Sequence, residues 1–436
     1  MLLTIIVTIL VVVSMIILIL FKPSISFKKF NLDTFFIPPL VGALLLIVFN
    51  KVPLNYIIDV FTTNNSVNPL KILILFIAIS MLSITLDELG FFRYIAYFAI
   101  KKCKLNQYSL FFALYFLISF LTIFTSNDIV ILTFTPFICY LSKNAKINPL
   151  PFLIMEFVNA NTYSMLLPIG NPTNIYITSF FNINFIEYIR IMMLPTFFTG
   201  LFSLAILLLL FHKMLAVPMS FINLKEEKIV NYPLTIISLI HLIITTLLLI
   251  VSNYLELEMW LICLTSALSL TIFICIFCFR KKETLLLTNV YKRLPYTLIP
   301  FIISMFIIVL ALNYNGITNT LSHSLEYLCV NEPTTIVSFL GISTICDNLI
   351  NNIPMSVFFS EILNNIEGLN VKAIYATVIG SNVGAYLTPI GALAGIMWTN
   401  LLKKYEIKFN FISFVKYGLI IVPIALLGAF LGLLIV

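Results

Sequence analysis

The stretch ANTYSMLLPIG at 160–170 has a second copy 221 positions later, SNVGAYLTPIG at 381–391. Both read Asn, six residues, then Pro-Ile-Gly, running from Asn161 to Gly170 and from Asn382 to Gly391. The same offset places Asn127 on Asn348 and Ile129 on Ile350, so the copies align without a gap from 127 to 170. One structural unit is used twice. In an apolar chain, paired segments interrupted by Pro, Gly and Asn mark a transporter whose broken helices meet around a binding site at the membrane midplane.

Composition agrees. Of 436 residues, 61% are hydrophobic and 10% charged, too few charges to cover a soluble globule, and apolar runs of membrane-spanning length recur. The expected class is an all-α polytopic membrane protein. The first run, Leu2 to Phe21, has no basic start and no small-residue cleavage site, and Lys22, Lys28 and Lys29 follow it, so it reads as a retained first helix. The net charge of +7 sits in short loops between apolar runs, where it reports orientation and gives no reason to expect nucleic acid. The seven cysteines lie mostly inside or beside apolar runs, without a disulfide framework. Cys275 and Cys278 form a CxxC, but no second pair or nearby His completes a metal set.

Spans are expected near 2–21, 34–50, 70–86, 188–211, 233–252, 259–279, 295–312 and 410–436, with two broken helices at 147–179 and 372–400. Between them lie 107–142 and 333–363, interrupted at Ser126-Asn127-Asp128 and at Asp347-Asn348 with Asn351-Asn352-Ile353-Pro354. Most of their arms fall short of a crossing, so each reads as a re-entrant hairpin, although 107–125 could cross alone. Ten spans and two hairpins leave both termini on one side. Twenty of the 25 Lys and Arg lie in loops 22–29, 93–104, 143–146, 213–228, 280–293 and 403–408, which the positive-inside rule makes cytoplasmic, with both termini outside.

The 221-residue shift divides the chain into a first repeat at 1–211, a cytoplasmic linker at 212–232 carrying Lys225-Glu226-Glu227-Lys228, and a second repeat at 233–436. Each holds five spans and one hairpin. Five is odd, so the second copy enters from the opposite face, an inverted-topology repeat. Amphipathic runs at 88–104 and 317–329 are expected along the interfaces.

Breaks at Pro168, Gly170 and Pro172, and again at Pro389 and Gly391, free backbone groups that cost several kcal/mol each in hydrocarbon unless protein, water or a ligand satisfies them. Freed amides suit an anion or polar solute, and freed carbonyls suit a cation. Asn127 and Asn348 fall at the hairpin tips, and Asn161 and Asn382 start the breaks. Their amides both donate and accept; singly they read as interhelical glue, but four at matched positions favour a lined cavity. Asp128 and Asp347 flank the matched asparagines, and a midplane carboxylate costs about 3 kcal/mol, which asks for cation coordination or proton carriage. Glu156 is the third coupling candidate, with a salt bridge as its plainer reading. Glu361 reads as a rim charge and Cys346 as a buried apolar thiol. The candidate substrate and ion set is Ser126, Asn127, Asp128, Asn161, Thr162, Gly170, Asn171, Asp347, Asn348, Asn351, Asn382, Thr388 and Gly391.

These motifs resemble the ion transporter superfamily, and within it the arsenite permease and sodium/proton antiporter branch, which is citrate transporter-like. The likeness is strongest in INNIPMSVFFSEIL at 350–363 and ATVIGSNVGAYLTPIGALAGIMWTNLL at 376–402. There the family's Asn-Asn-x-Pro hairpin, Gly-x-x-Gly stretch, Thr-Pro-Ile-Gly break and Trp fall on Asn351, Asn352, Pro354, Gly380, Gly384, Thr388, Pro389, Ile390, Gly391 and Trp398. In the first half, SNDIVILTFTP at 126–136 and LPIGNPTNIYI at 167–177 resemble the family's Asn-Asp hairpin and Gly-Asn-Pro break. Arsenite permeases carry an acid where Asn382 stands, a departure that moves the site towards the asparagine-rich organic-anion members. The resemblance implies secondary transport, a prokaryotic inner membrane and a homodimer.

The leading expectation is a carrier of a small inorganic or organic anion, or a metalloid hydroxide of arsenite type, driven by protons or sodium near Asp128 and Asp347. The alternatives are a sodium-coupled citrate or dicarboxylate carrier and a sodium/proton antiporter. No Walker loop is present, so ATP hydrolysis would have to come from a separate ATPase partner. A channel would keep a continuous polar pore, whereas the polar residues here cluster near midplane. An intramembrane enzyme has little basis, with only His212, His241 and His323 and no HExxH or Gly-x-Ser-x-Gly. No cofactor beyond the coupling ion is expected.

Overall fold

A computed structural model describes residues 1–22, 24–27, 30–64, 68–101, 106–219, 227–252, 254–281 and 284–436. Lys28, Lys29, Cys103 and, in the linker, Lys225 and Glu226 lie outside the described residues. The first half contains helices α1 (Leu2–Phe21), α2 (Ile37–Val48), α3 (Leu54–Thr62), α4 (Pro69–Glu88), α5 (Phe91–Lys101), α6 (Gln107–Phe124), α7 (Asn127–Ala145), α8 (Leu150–Tyr163), α9 (Pro172–Phe180) and α10 (Phe185–Leu215). The second contains α11 (Tyr232–Val251), α12 (Met259–Lys281), α13 (Leu285–Lys292), α14 (Leu298–Tyr314), α15 (Ile317–Glu326), α16 (Glu332–Ile350), α17 (Asn352–Asn364), α18 (Val371–Val383), α19 (Leu393–Lys404) and α20 (Phe411–Ile435). Two short strands, β1 (Ser24–Phe27) and β2 (Phe30–Asp33), pair antiparallel after α1.

Asparagine starts many of these helices. The first amides of a helix have no partner within it, and a short side-chain carbonyl can accept from one of them. Asn68, Asn106, Asn184, Asn231, Asn331, Asn370 and Asn410 do this for α4, α6, α10, α11, α16, α18 and α20. Among the described residues, eight helices are long and apolar enough to cross a membrane: α1, α4, α6, α10, α11, α12, α16 and α20. The chain is a multi-pass membrane protein. The span expected at 34–50 is the 12-residue α2, because Pro38 and Pro39 open the helix and it stops at Val48. The broken spans appear as the pairs α8/α9 and α18/α19, neither of whose halves reaches spanning length alone. The segment expected along an interface at 317–329 is α15, which turns 74° away from α14.

Element order in the first half recurs in the second, α1 with α11 through to α10 with α20. The packing is reciprocal as well. Helix α2 lies on α14, and their counterparts α12 and α4 lie on each other; α7 lies on α19, and α17 on α9. Such exchanged contacts are what a pseudo-two-fold relation between two halves produces. The most extensive pairing is between the counterparts α10 and α20. Small residues let them approach: a β-carbon on Gly428 would stand 2.6 Å from the Phe198 carbonyl oxygen, and one on Gly432 2.4 Å from the Pro195 α-carbon.

The two helical hairpins differ in where they turn. The α6–α7 turn falls at Thr125–Ser126, as the sequence suggests, with Ser126 capping the amide of Ile129. The other interruption was expected over Asp347-Asn348 with Asn351-Asn352-Ile353-Pro354 and with Asn348 at the tip; α16 runs on to Ile350 and reverses at Asn351, whose φ is +72°. No helix-breaking residue precedes Asn351, and its ψ of 152° lies outside the left-handed helical region, so the turn is held by its surroundings, including the bond from Asn351 Nδ2 to the Ile390 carbonyl. Asn348 therefore lies in the last turn of α16, not at the tip.

Candidate functional site

The second break packs closely around a carboxylate that has no partner. Asp347, fully buried at the end of α16, has no hydrogen-bond partner for either Oδ1 or Oδ2. It faces two glycines of the broken span: a β-carbon on Gly384 would stand 2.6 Å from Oδ2, and one on Gly391 2.7 Å away. The Gly391 position also has Asn348 Oδ1 at 3.0 Å and the Gly384 carbonyl oxygen at 3.1 Å, and the Gly384 position has the Thr344 carbonyl oxygen at 3.0 Å. Asp347 Oδ2 and three further oxygens thus close on the bare α-carbons of two glycines and leave no room for a side chain at either.

That shell is held by neighbours. Asn348 Nδ2 donates to the carbonyls of Thr344 and Gly384, both at 2.9 Å, while its Oδ1 accepts from Thr388 Oγ1 at 2.7 Å. Asn351 Nδ2 donates to the Ile390 carbonyl at 2.9 Å, the Asn352 amide donates to the Gly391 carbonyl at 2.9 Å, and Asn351 Oδ1 is buried without a partner. Helices α17 and α19 both begin here, and neither has a side-chain cap. Their positive dipole ends therefore start next to Asn351 and Gly391, with the Asn352 amide already bonded to the Gly391 carbonyl.

The first break is closed on itself. Asn171 caps α9 through Thr173 and donates at 2.9 Å to Asn382 Oδ1, which also accepts from Ser164 Oγ at 3.2 Å. Asn382 Nδ2 donates to Asn174 Oδ1 at 2.8 Å and to the Val378 carbonyl at 2.8 Å. Asn174 in turn donates to the Ser164 carbonyl at 2.9 Å. Gly170 is required because a β-carbon would stand 2.1 Å from the Ser164 carbonyl oxygen. Asn161 accepts from Asn127 Nδ2 at 3.0 Å, tying the first hairpin to the first break, and Thr162 meets Tyr386 hydroxyl to hydroxyl at 2.8 Å.

The structure thus brings Asn161, Thr162, Asn171 and Asn382 together with Asn127, but as a stitched junction between the halves and not as a lined cavity. Ser126 is occupied as a helix cap, and Asp128 is half-buried in the first turn of α7. Glu156 is fully buried on α8 and accepts from Thr135 Oγ1 at 2.9 Å. Glu361 accepts from Asn313 at 2.9 Å. Ser164, Asn174 and Tyr386 gave no sequence signal as site residues. The 221 offset puts Gly395 opposite Asn174 and breaks the pattern there.

A cavity lies elsewhere. About 470 Å³ opens between the start of α4, the α9–α10 turn and the α11–α12 turn, lined by Thr178, Ser179, Asn182, Ser252, Glu256 and Trp260 among others. It is a vestibule and does not include the break. Helix α9 joins the two, since Thr178 is about 10 Å along the axis from Asn171 at ~1.5 Å per residue. At its edge Lys71 pairs with Glu258, and its ammonium stands 5.8 Å from the Trp260 ring centre.

Residues 1–368 match the citrate transporter (CitMHS) family. Among curated proteins, the chain is 24% identical over 421 residues to a putative arsenical pump membrane protein of Bacillus subtilis (strain 168), covering 90% of this chain and 92% of that one. It is 24% identical over 353 residues to an arsenical pump membrane protein of Escherichia coli, covering 79% and 81%. Among solved structures, the Alcanivorax borkumensis YdaH transporter superposes with a TM-score of 0.62 at 12% identity, covering 100% of this chain and 98% of that one. Neisseria gonorrhoeae MtrF, described with a class of antimetabolite efflux pumps, gives 0.56 at 13% identity, covering 99% and 94%. At these identities the structural likeness concerns the fold alone. By the family match and the length over which it holds, this chain is a membrane transporter belonging to the citrate transporter family.

Proposed function

We propose that the protein is a secondary active transporter of a small inorganic anion or metalloid oxyanion of arsenite type, coupled to protons or sodium by alternating access. The observation that carries this reading is the unequal finish of the two breaks: the first satisfies its own polar groups, while the second leaves the Asp347 carboxylate and Asn351 Oδ1 without partners beside two uncapped helix starts. Buried polar groups without partners are rare where no ligand is expected. The oxygens of Asp347, Asn348, Gly384 and Thr344 suit a sodium ion or a proton on Asp347, and the uncapped, positive ends of α17 and α19 suit an anionic or hydroxylated solute. The arsenical-pump relatives favour a metalloid among such solutes.

A second reading has its own basis. Asn382 carries an amide bonded on both sides, so the junction holds no added negative charge, and the family match is to citrate transporters. Both favour a sodium-coupled citrate- or dicarboxylate-type carrier. The recurring helix order and exchanged packing are in keeping with inverted repeats that rock about the break, five spans and a hairpin each, with the basic loops and linker cytoplasmic and both termini outside the inner membrane of a prokaryote. A homodimer is the proposed assembly, on family likeness.

The test is current from purified protein on a solid-supported membrane, challenged with arsenite, citrate, succinate and sulfate, with and without sodium or pH gradients. Response to arsenite under a proton gradient supports the leading reading, and sodium-dependent response to a carboxylate the second. Activity with sodium and protons alone would make it an antiporter.

A further inference from the structure

A second buried acid stands outside the break, and only one half of the molecule has it. Glu156 is fully buried on α8, where α8 meets α7 and α7 meets α19. Its Oε1 accepts one hydrogen bond, from Thr135 on α7, and its Oε2 accepts none. The indole N–H of Trp398 on α19 stands within donor reach of the carboxyl, at a separation or angle short of a full hydrogen bond. Buried Trp N–H groups ordinarily find a partner, so two complementary orphans stand next to each other. Phe157, with its ring centre 5.1 Å from that of Trp398, and Phe414, at 5.6 Å, close the surroundings with apolar surface.

The repeat offset sharpens the observation. Glu156, Thr135, Cys139 and Trp398 correspond to Thr377, Ser356, Ser360 and Ile177. In that half, Thr377 donates to the Ala373 carbonyl at 2.9 Å, Ser356 to the Ile353 carbonyl at 2.7 Å and Ser360 to the Ser356 carbonyl at 2.8 Å, so each hydroxyl is satisfied within its own helix. The acid is therefore an addition to a duplicated frame. Among the described residues no Lys, Arg or His pairs with it. The titratable group facing it from α7 is Cys139; of the other elements packed on α8, α6 carries Tyr108 and Tyr115, α10 carries Glu187, Tyr188, Arg190, His212 and Lys213, and α18 with the α18–α19 turn carries Lys372, Tyr375 and Tyr386, and among the described residues none of these forms an ion pair with Glu156. An ionised carboxylate with one hydroxyl donor and no cation is strongly disfavoured in this setting, whereas the neutral acid needs no counter-ion.

We propose that Glu156 carries a proton through the transport cycle, at a site separate from Asp347, and that its two states hold α8 and α19 in two arrangements. In the loaded state Glu156 is the neutral acid and Trp398 stands off. On unloading, the O–H bond at Oε2 breaks, the proton passes to water, and the Trp398 N–H closes on Oε2 as the second donor, with Thr135 keeping the first. Because α19 belongs to the second broken span and α8 to the first, this movement links the acid to both breaks. The role in transport rests on the carrier reading above; the proton site itself does not.

The test is infrared difference spectroscopy of purified protein during a pH titration without solute, on wild type, Glu156→Gln and Trp398→Phe. The expected result is a C=O band of a protonated carboxylic acid that fades on raising pH, is absent from Glu156→Gln, and persists to higher pH in Trp398→Phe, where the ionised form has lost a donor. A full-size titrating band in Glu156→Gln, or a band in wild type and Trp398→Phe that never responds to pH, overturns the site. If the band titrates as expected but no solute gives current, the carrier reading fails and the proton site stands. If current is present and Glu156→Gln keeps the wild-type pH profile, the role in coupling is overturned while the carrier reading stands.

Discussion

The Asp347 carboxylate faces the bare α-carbon of Gly391 so closely that a β-carbon there would stand 2.7 Å from Oδ2. No heavy atom is tolerated at that separation without movement, and the Gly384 carbonyl oxygen, at 3.1 Å from the same point, is backbone and cannot swing away. Gly391→Ala is therefore expected to displace Asp347 from its oxygen shell and reduce ion-dependent transport at least tenfold, with the protein still inserted. Normal transport by Gly391→Ala, measured as solute-evoked current in proteoliposomes, would remove this space from the mechanism.

Asp347→Asn separates stability from coupling. A buried carboxylate without partners burdens the fold, so the amide should raise the melting temperature in the absence of ions. If sodium is the ion, wild type gains about 2.7 kcal/mol at 100 times its Kd, and the variant gains nothing. Fluorimetric melting in detergent across a sodium series, and again across pH, measures both effects. A variant that melts lower and keeps the ion response would contradict the assignment.

Asn382→Asp should weaken the junction between the halves. The carboxylate still accepts from Asn171 and Ser164 but no longer donates to Asn174 or Val378, so Asn174 Oδ1 loses that bond. A loss of about 1–3 kcal/mol is expected for orphaned buried groups of this kind. A double-mutant cycle with Asn171→Ala, read by chemical denaturation in mixed micelles, should give a coupling of about 0.5–2 kcal/mol; additivity would mean the two side chains do not act together.

Arg293 on the loop after α13 clamps the end of α4, with Nη2 2.7 Å from Asp87 and Nη1 2.6 Å from Glu88, and Asn289 donates to Glu88 at 3.2 Å. Asp87 is buried, and Arg293→Ala would leave its charge uncompensated, a loss of about 3–5 kcal/mol. Arg293→Ala with Asp87→Asn should recover a large part of it. Thermal unfolding of the single and double variants checks this.

At the vestibule, the hydrogen bond from Lys71 holds the Glu258 carboxyl below its ordinary value of 4.5. A depressed acid contributes stability that is present above the ordinary value and lost as pH falls through the lowered one. The Lys71–Glu258 contact should thus persist down through pH 4.5 and open only in stronger acid. Trp260, whose indole donates to Glu258 at 2.7 Å, reports it: its emission should stay constant from pH 7 to 4.5 and change below that. Lys71→Met should move the change upward.

The duplicated Asn-x6-Pro-Ile-Gly pattern and the run of apolar segments determined, without coordinates, that this chain is a broken-helix membrane transporter, and they marked Asp347, Asn348, Thr388 and Gly391 as a group. Residue type and spacing along the chain carry that information, because a helix break needs Pro or Gly and a spanning helix needs length. Two matched motifs implied that both breaks line one midplane site in the same way, and there the tertiary structure treats them differently. Asn382 bonds Asn171 and Asn174, more than 200 positions away, and Asn174 has glycine at its repeat position. Glu156 meets Trp398 only because α7 carries α19 to α8. Whether a buried polar group is satisfied or left open depends on which atoms packing brings within hydrogen-bond reach, and no periodicity in the sequence encodes that distance.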